Sequence, residues 1–337
     1  MNVFNVISPT KKEIPFILSI PHSGTSIPNE KLAFFNKKQL KLKEDTDWFL
    51  DKLYDFAPEM GVTTILANYH RWIVDLNRDP NNHPLYNDGR IITSICPITN
   101  FKGENIYKDN YQPDQKEISS RIESYFSPYH IFLSSLINKF LKNHSKVIVW
   151  DGHSIKRFVP SINPTKFPDL IIGTNDHQSC QKELTKIAFD NLKKSDYQVQ
   201  MNHPFKGGYI TRFHGNPSKG INSIQLEMSK DLYMSEKETI YDQNKANKIQ
   251  KLLITTFQEL IYVGQDHREM FDRRKGGRWI TKKVFLFNAI YEDRTIEIQV
   301  NPEFKNYENA LEEALTYSKV IGRLPNFLLT NVKTIWI

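Results

Sequence analysis

Apolar and polar positions fall into two alternating rhythms along this chain. Residues 14–20 (Ile-Pro-Phe-Ile-Leu-Ser-Ile) are a short β-branched and aromatic run broken at Pro21 and Gly24, as in a buried strand that ends in a loop. Similar runs predict strands at 62–67, 72–76, 147–150, 169–172, 197–201, 208–213 and 222–227. Helical spacing appears in Leu50, Leu53, Tyr54 and Ala57, ahead of Pro58 and Gly61, with Asp45 and Asp47 in or before the first turn. It recurs from Ile118 through Ile122, Phe126, Tyr129, Leu133, Leu136 and Phe140, with a break expected before Pro128. Two more helices are expected near 181–193 and 236–262. Strands alternating with amphipathic helices predict an α/β fold with a central, mostly parallel mixed sheet between helices.

Two stretches break the rhythm. Residues 79–112 are polar and aperiodic, and a loop that long in a compact chain is more often functional than idle. Beyond Gly264 the pattern changes to strands at 284–290 and 294–300, a helix at 307–321 and a last apolar strand at 334–337. The expected organisation is therefore a main domain, 1–264, and a small α+β extension, 265–337, with Gly276 and Gly277 as a flexible joint. The extension reads as an appended unit or as the opening of a longer one. Its role is unassigned.

Composition narrows the class. A 337-residue chain with 39% hydrophobic residues, 21 Phe, 15 Tyr and 5 Trp can bury enough apolar surface to fold, which excludes disorder. No apolar run approaches the roughly 18 residues of a membrane span, and Lys11, Lys12, Glu13 and Pro15 interrupt any secretory signal. Cys96 and Cys180 stand too far apart for a cysteine zinc motif or a disulfide framework, so a cytoplasmic protein is expected. The net charge of +7 is mostly scattered. Arg273, Arg274, Lys275, Arg278, Lys282 and Lys283 form the one basic cluster without an intervening acid, which reads as a solvated linker. Nucleic-acid binding is not expected, and a non-enzymatic binding module using residues 273–283 is kept as an alternative.

Ligands of open α/β sheets sit at the carboxyl ends of the strands. Three polar clusters fall there: Pro21-His22-Ser23-Gly24, Asp151-Gly152-His153-Ser154, and the Glu227 that closes Ile224-Gln225-Leu226-Glu227. Two histidines and a carboxylate suit zinc, with one position left for water. Ser23 and Ser154 lack the G-x-S-x-G elbow, and each directly follows its histidine, so the two side chains of a pair point opposite ways on extended backbone. Neither G-x-x-x-x-G-K-[ST] nor G-x-G-x-x-G occurs, which argues against nucleotide binding. Arg71, Asp75, Asn77 and Arg78 flank another expected strand end. The arginines there either clamp a carboxylate or oxyanion or pair with the neighbouring acids.

The ordered set Pro21-His22-Ser23-Gly24, Asp45-Thr46-Asp47-Trp48, Arg71-Trp72-Ile73-Val74-Asp75-Leu76-Asn77-Arg78, Asp151-Gly152-His153-Ser154, the run from Asn202 to Arg212 and Gln225-Leu226-Glu227-Met228 resembles the N-formylglutamate amidohydrolase family over residues 12–262. The resemblance implies a fold like the zinc exopeptidases and hydrolysis of an N-formyl or N-acyl amide of a small amino acid, N-formylglutamate foremost. It implies one zinc, or another divalent metal, held by His22, His153 and Asp47, with Asp45 in reserve as the carboxylate ligand. Glu227 would be the general base, Arg78 or Arg71 would polarise the amide oxygen, and Arg212, Asn77 and Gly208 would bind substrate. His214 departs from the pattern, as an added polar contact or a loop residue. A peptidase or amidase for a larger substrate is the alternative enzyme, and the last 73 residues have no counterpart in the resemblance.

Overall fold

The longest apolar runs become the centre of one sheet. The structure, a computed structural model, describes residues 2–86 and 93–264, and beyond them only the backbone of three strands. The sheet comprises β1 (Phe4–Ile7), β2 (Phe16–Ile20), β3 (Thr63–Ala67), β4 (Val147–Ile155), β5 (Leu170–Gly173), β6 (Val199–Met201) and β7 (Ile221–Ser229) in the order β1-β3-β2-β4-β7-β5-β6. Strands β3, β2, β4 and β7 run parallel; β1 pairs antiparallel on β3, and the parallel pair β5–β6 joins antiparallel through β7. The fold is the mixed α/β sheet between helices that the alternation predicts. The edge strand β1 carries no strong apolar signal and was not among the expected strands.

Period-two alternation assigns the two faces. Ile17 of β2 and Val147 and Val149 of β4 pack with Tyr129, Leu133, Ile137 and Phe140 of the helix Ser127–Leu141. Phe16, Leu18, Ile148, Trp150, Ile224 and Leu226 face the opposite side, against Leu184 and Ala188 of one helix (Lys182–Lys193) and Ile249, Leu253 and Phe257 of another (Gln243–Gly264). Burial on both sides explains why the central strands read as nearly unbroken apolar runs. The break expected before Pro128 is a π-helical turn, Ile122–Phe126, between helix Gln115–Arg121 and helix Ser127–Leu141.

Two expected strands are something else. Residues 72–76 form a buried turn, not a strand: the carbonyls of Trp72 and Ile73 accept from the Arg121 guanidinium at 3.4 and 3.2 Å, and the Asp75 N–H bonds to Ile95 O at 2.7 Å. Residues expected as a strand at 208–213 form the helix Tyr209–His214. Its first N–H groups are taken by Asn77, whose O accepts from Tyr209 N at 3.2 Å and whose Oδ1 accepts from Ile210 N at 2.8 Å. Only the folded chain supplies those acceptors, so the β-branched composition misleads.

The chain divides into two compact units, Met1–Asp266 and His267–Ile337. In the second, strands Lys283–Tyr291, Arg294–Val300 and Leu328–Trp336 form an antiparallel sheet with the first of them in the centre. The expected helix at 307–321 and all of the basic cluster except Lys283 lie outside the described residues. No helix among the described residues is long and apolar enough to cross a membrane.

Candidate active site

The face of β4 that is apolar at Val147 and Val149 turns polar at Asp151 and His153, at the carboxyl end of the strand. Parallel register places Gln225 beside Asp151 and Glu227 beside His153 on β7. The four form a polar patch on one face. His22 lies just past the end of β2, and the loop after it returns Asp47, whose N–H donates to His22 O at 2.9 Å.

His22, Asp47 and His153, all buried, converge here. The two Nδ1 atoms are 3.1 Å apart, and Asp47 Oδ2 stands 3.7 Å from that of His22 and 3.4 Å from that of His153. Both Nε2 atoms are engaged on the far side: His22 with Asp75 Oδ1 at 2.7 Å, His153 with Asp151 Oδ2 at 2.9 Å. We assign the Nε2–H tautomer to both rings from these carboxylates, which directs both Nδ1 atoms into the space beside Asp47. Asp47 Oδ2 is buried and accepts no hydrogen bond. Two imidazole nitrogens and an orphaned carboxylate oxygen, each ring backed by a carboxylate, fit a divalent cation with an open position. Asp45 does not join them, because its Oδ2 accepts from Trp72 Nε1 at 2.8 Å and its Oδ1 from Phe101 N at 3.2 Å.

The electrostatics are those of a buried, strongly charged site. Burial, with help from the Arg71 guanidinium, lowers His22 to about 4. Burial pulls His153 the same way, but the charge and hydrogen bond of Asp151, with Asp47 and Glu227 behind them, raise it well above its ordinary value. Burial works upward on Asp75 too, yet Arg71 holds it well below the usual carboxylate range. Glu227, half-buried, is raised to about 7 by burial, with the His153 charge opposing and Asp47 adding.

The remaining candidates surround an open cleft of about 700 Å³ lined by His22, Asp47, Arg71, Arg78, His153 and Glu227, among others. Arg71 Nη2 pairs with Asp75 Oδ2 at 2.5 Å, and Nη1 donates to His22 Nδ1 at 3.2 Å, a bond that a cation at that nitrogen would replace. Arg78 is anchored by Thr93 O at 3.3 Å and Asn77 O at 3.2 Å. Asn77 donates from Nδ2 to Asp151 Oδ2 at 3.2 Å, so it braces the ligand shell as well as the helix start. Gly208 is there because Asn77 is: a Cβ at Gly208 would lie 2.3 Å from Asn77 Nδ2, and the Gly208 N–H is already spent on Gln225 Oε1 at 2.7 Å. Arg212 stands outside the cleft lining, its Nε donating to Gly207 O at 2.9 Å and its guanidinium over the ring of Tyr86, which does line the cleft. His214 is buried and stacked on His130, bonded to it at 3.0 Å, behind the site. The 79–112 stretch supplies Leu85, Tyr86, Thr93 and Phe101 to the cleft wall.

The sequence profile of the N-formylglutamate amidohydrolase family matches residues 14–234. The chain belongs to that family. The N-formylglutamate deformylase of Pseudomonas putida is 31% identical over 263 residues, 77% of this chain and 97% of that relative. Its Pseudomonas aeruginosa counterpart is 33% identical over 232 residues, 68% of this chain and 86% of the relative. In fold, the chain is similar to the crystal structure of N-formylglutamate amidohydrolase from Ralstonia eutropha JMP134, with TM-score 0.67 at 23% identity over 78% of this chain and 99% of that one. A crystal structure of an Agrobacterium tumefaciens protein gives 0.63 at 17% identity, over 78% and 96%. All the candidate residues His22, Asp47, Arg71, Asn77, Arg78, His153, Gly208, Arg212 and Glu227 lie inside the family match.

Sequence reasoning gave Asp75, Asp151 and Gln225 no individual role. The period-two spacing of Asp151 and His153 was the available signal for one of them. Asp75 meets His22, and Gln225 meets Gly208, only when distant segments come together.

Proposed function

We propose that this protein is a metal-dependent amidohydrolase that removes the formyl group from N-formylglutamate. The observation that carries the reading is the orphaned Asp47 Oδ2 facing two Nδ1 atoms, beside Glu227 on the next strand. His22, Asp47 and His153 would hold one zinc, which when bound supplies Lewis acidity, bringing the pKa of water from about 15.7 to near 7.

Glu227 takes the proton of the attacking water. Burial suits its carboxylate to this by raising it above the ordinary carboxylate range, to about 7 in the metal-free site, which makes it a better proton acceptor than an exposed glutamate. Gln225 Nε2 donates to Glu227 Oε2 at 3.1 Å and fixes the other oxygen's direction. Arg71, held by Asp75 and lying 4.8 Å over the Phe101 ring, has its Nη1 beside the trio and stabilises the charge that develops on the formyl oxygen. Arg78 binds the α-carboxylate of the substrate at the cleft wall. Glu227 then passes its proton to the leaving amine, so formate and glutamate are the products.

The test pairs metal analysis with a substrate panel. The account expects one zinc per chain, activity lost on chelation and restored by zinc, and N-formylglutamate turned over faster than N-acetylglutamate or a peptide. Full turnover by chelated, metal-free protein would refute the metal role, and preference for the peptide would favour the larger-substrate reading.

A further inference from the structure

The parallel pairing of β2 with β4 sets Ile17 beside Val149 and, two residues on, Ser19 beside Asp151. The first pair is apolar and packs under the helix Ser127–Leu141. The second is polar although it lies just as deep, with Ser19 and Asp151 both fully buried. Against them that helix sets Tyr129, also fully buried, among Leu133, Ile137 and Phe140. The Tyr129 hydroxyl lies 2.9 Å from Ser19 Oγ, and Ser19 Oγ donates to Asp151 Oδ1 at 3.3 Å.

The donors of this chain can point only one way. A carboxylate accepts and does not donate, so the single Ser19 O–H goes to Asp151, and the Tyr129 O–H must then donate to Ser19 Oγ. Burial raises the Tyr129 phenol above its ordinary value, which keeps its proton in place. On the other side, Asp151 Oδ2 meets His153 Nε2 at 2.9 Å and Asn77 Nδ2 at 3.2 Å. With Ser19 on Oδ1 the carboxylate is tied at both oxygens, and its rotation about the Cβ–Cγ bond is fixed. Added donors draw charge density from Asp151, so what His153 gains is orientation rather than basicity. Without Ser19 the carboxylate is free to turn, and the ring loses its fixed aim. A buried polar trio costs more to form than apolar side chains of like volume. Helix and sheet need no such trio to pack here, as Ile17 and Val149 show one step away. Both Tyr129 and Ser19 lie outside the cleft lining.

We infer that Tyr129 and Ser19 are positioning residues for the metal centre: they fix the Asp151 carboxylate so that His153 presents Nδ1 to the ion. The inference rests on the metal-dependent reading for the presence of that ion.

The test measures zinc affinity of the full chain by chelator competition, beside the urea midpoint, for Ser19→Ala, Asp151→Asn and the double variant. Ser19→Ala should weaken zinc by about tenfold, the lower end of the effect of removing a group behind a metal-binding histidine. Because Ser19 acts through Asp151, the double variant should bind zinc no more weakly than Asp151→Asn alone. Tyr129→Phe deletes one hydroxyl and leaves the packed ring, and it should lose zinc affinity in the same direction but by less than Ser19→Ala. A lowered urea midpoint with wild-type zinc affinity in Ser19→Ala would make the trio a matter of packing and overturn the inference. So would losses that simply multiply in the double variant. Neutron diffraction from crystals of the wild-type chain needs no variant: the deuterium on Tyr129 Oη should point at Ser19 Oγ and that on Ser19 Oγ at Asp151 Oδ1, and the opposite order would overturn the chain. Wild-type protein that binds no zinc would defeat the metal-dependent reading and this inference with it, whereas zinc bound with multiplying losses would defeat this inference alone.

Discussion

Replacing Asp75 by asparagine separates the support of the ligands from the ligands themselves. The carboxylate is fully buried and serves three donors: His22 Nε2 at 2.7 Å and the Asn77 N–H at 2.9 Å on Oδ1, and Arg71 Nη2 at 2.5 Å on Oδ2. Asparagine can keep the two bonds to Oδ1. It then turns an amide N–H₂ toward Arg71 Nη2, donor against donor, and leaves that guanidinium without its closest counter-charge. Breaking a buried charge pair from one side costs roughly 3–5 kcal/mol, and loss of a carboxylate behind a metal-binding histidine weakens metal affinity by about 10- to 100-fold. Asp75→Asn should therefore unfold at markedly lower urea and lose zinc to a competing chelator at 10- to 100-fold lower chelator activity, on the same scale. If the variant matched wild type in both zinc affinity and urea midpoint, the coupling from Arg71 through Asp75 to His22 would be wrong.

Three further outcomes follow from the same geometry. Glu227→Gln should retain zinc while turnover falls by about a hundredfold or more, the scale of removing a general base; loss of zinc would make Glu227 a ligand. Because Glu227 acts only when ionised, kcat/KM should fall as pH drops through its pKa, about 7 in the metal-free site and lower once a cation stabilises the carboxylate; a flat acid limb down to pH 4 would contradict its role. Burial lowers His214 from 6.5 to about 4 and, with the His214 charge, His130 to about 3. The unfolded chain therefore takes up protons below pH 6.5 that the folded one refuses, so stability is complete above 6.5 and drains away as pH falls toward 4. The loss is about 3 kcal/mol by pH 4 for His214 alone. In urea titrations His130→Phe should flatten that acid slope, and an unchanged slope would mean the pair is not buried neutral.

Much of the fold and the site was legible in the sequence wherever a short stretch carries its own reason. Residues 16–20 and 147–150 read as buried strands because both faces of the sheet are covered, and His22 and His153 were placed at strand ends for the same reason. What escaped depends on partners far along the chain. Trp72 to Leu76 has the look of a strand, yet the Arg121 side chain takes the carbonyls that a neighbouring strand would have taken. The segment after Gly208 is helical because Asn77 accepts its first two N–H groups. Beyond Trp150 the strand continues to Ile155, since Asp151 and His153 are polar positions that face the site rather than solvent. Asp45 and Asp47 were indistinguishable by type and spacing; Trp72 and Phe101 separate them by claiming Asp45.

The claim on which the account turns is that His22, Asp47 and His153 together hold one divalent ion. Anomalous diffraction at the zinc edge, from crystals of the full chain grown with zinc, tests it without reference to activity. The account predicts a single strong peak bonded by His22 Nδ1, His153 Nδ1 and an Asp47 oxygen at about 2.0–2.2 Å, with Asp75 and Asp151 on the opposite ring nitrogens. A peak elsewhere on the chain, with these three side chains unmoved and unligated, would contradict it.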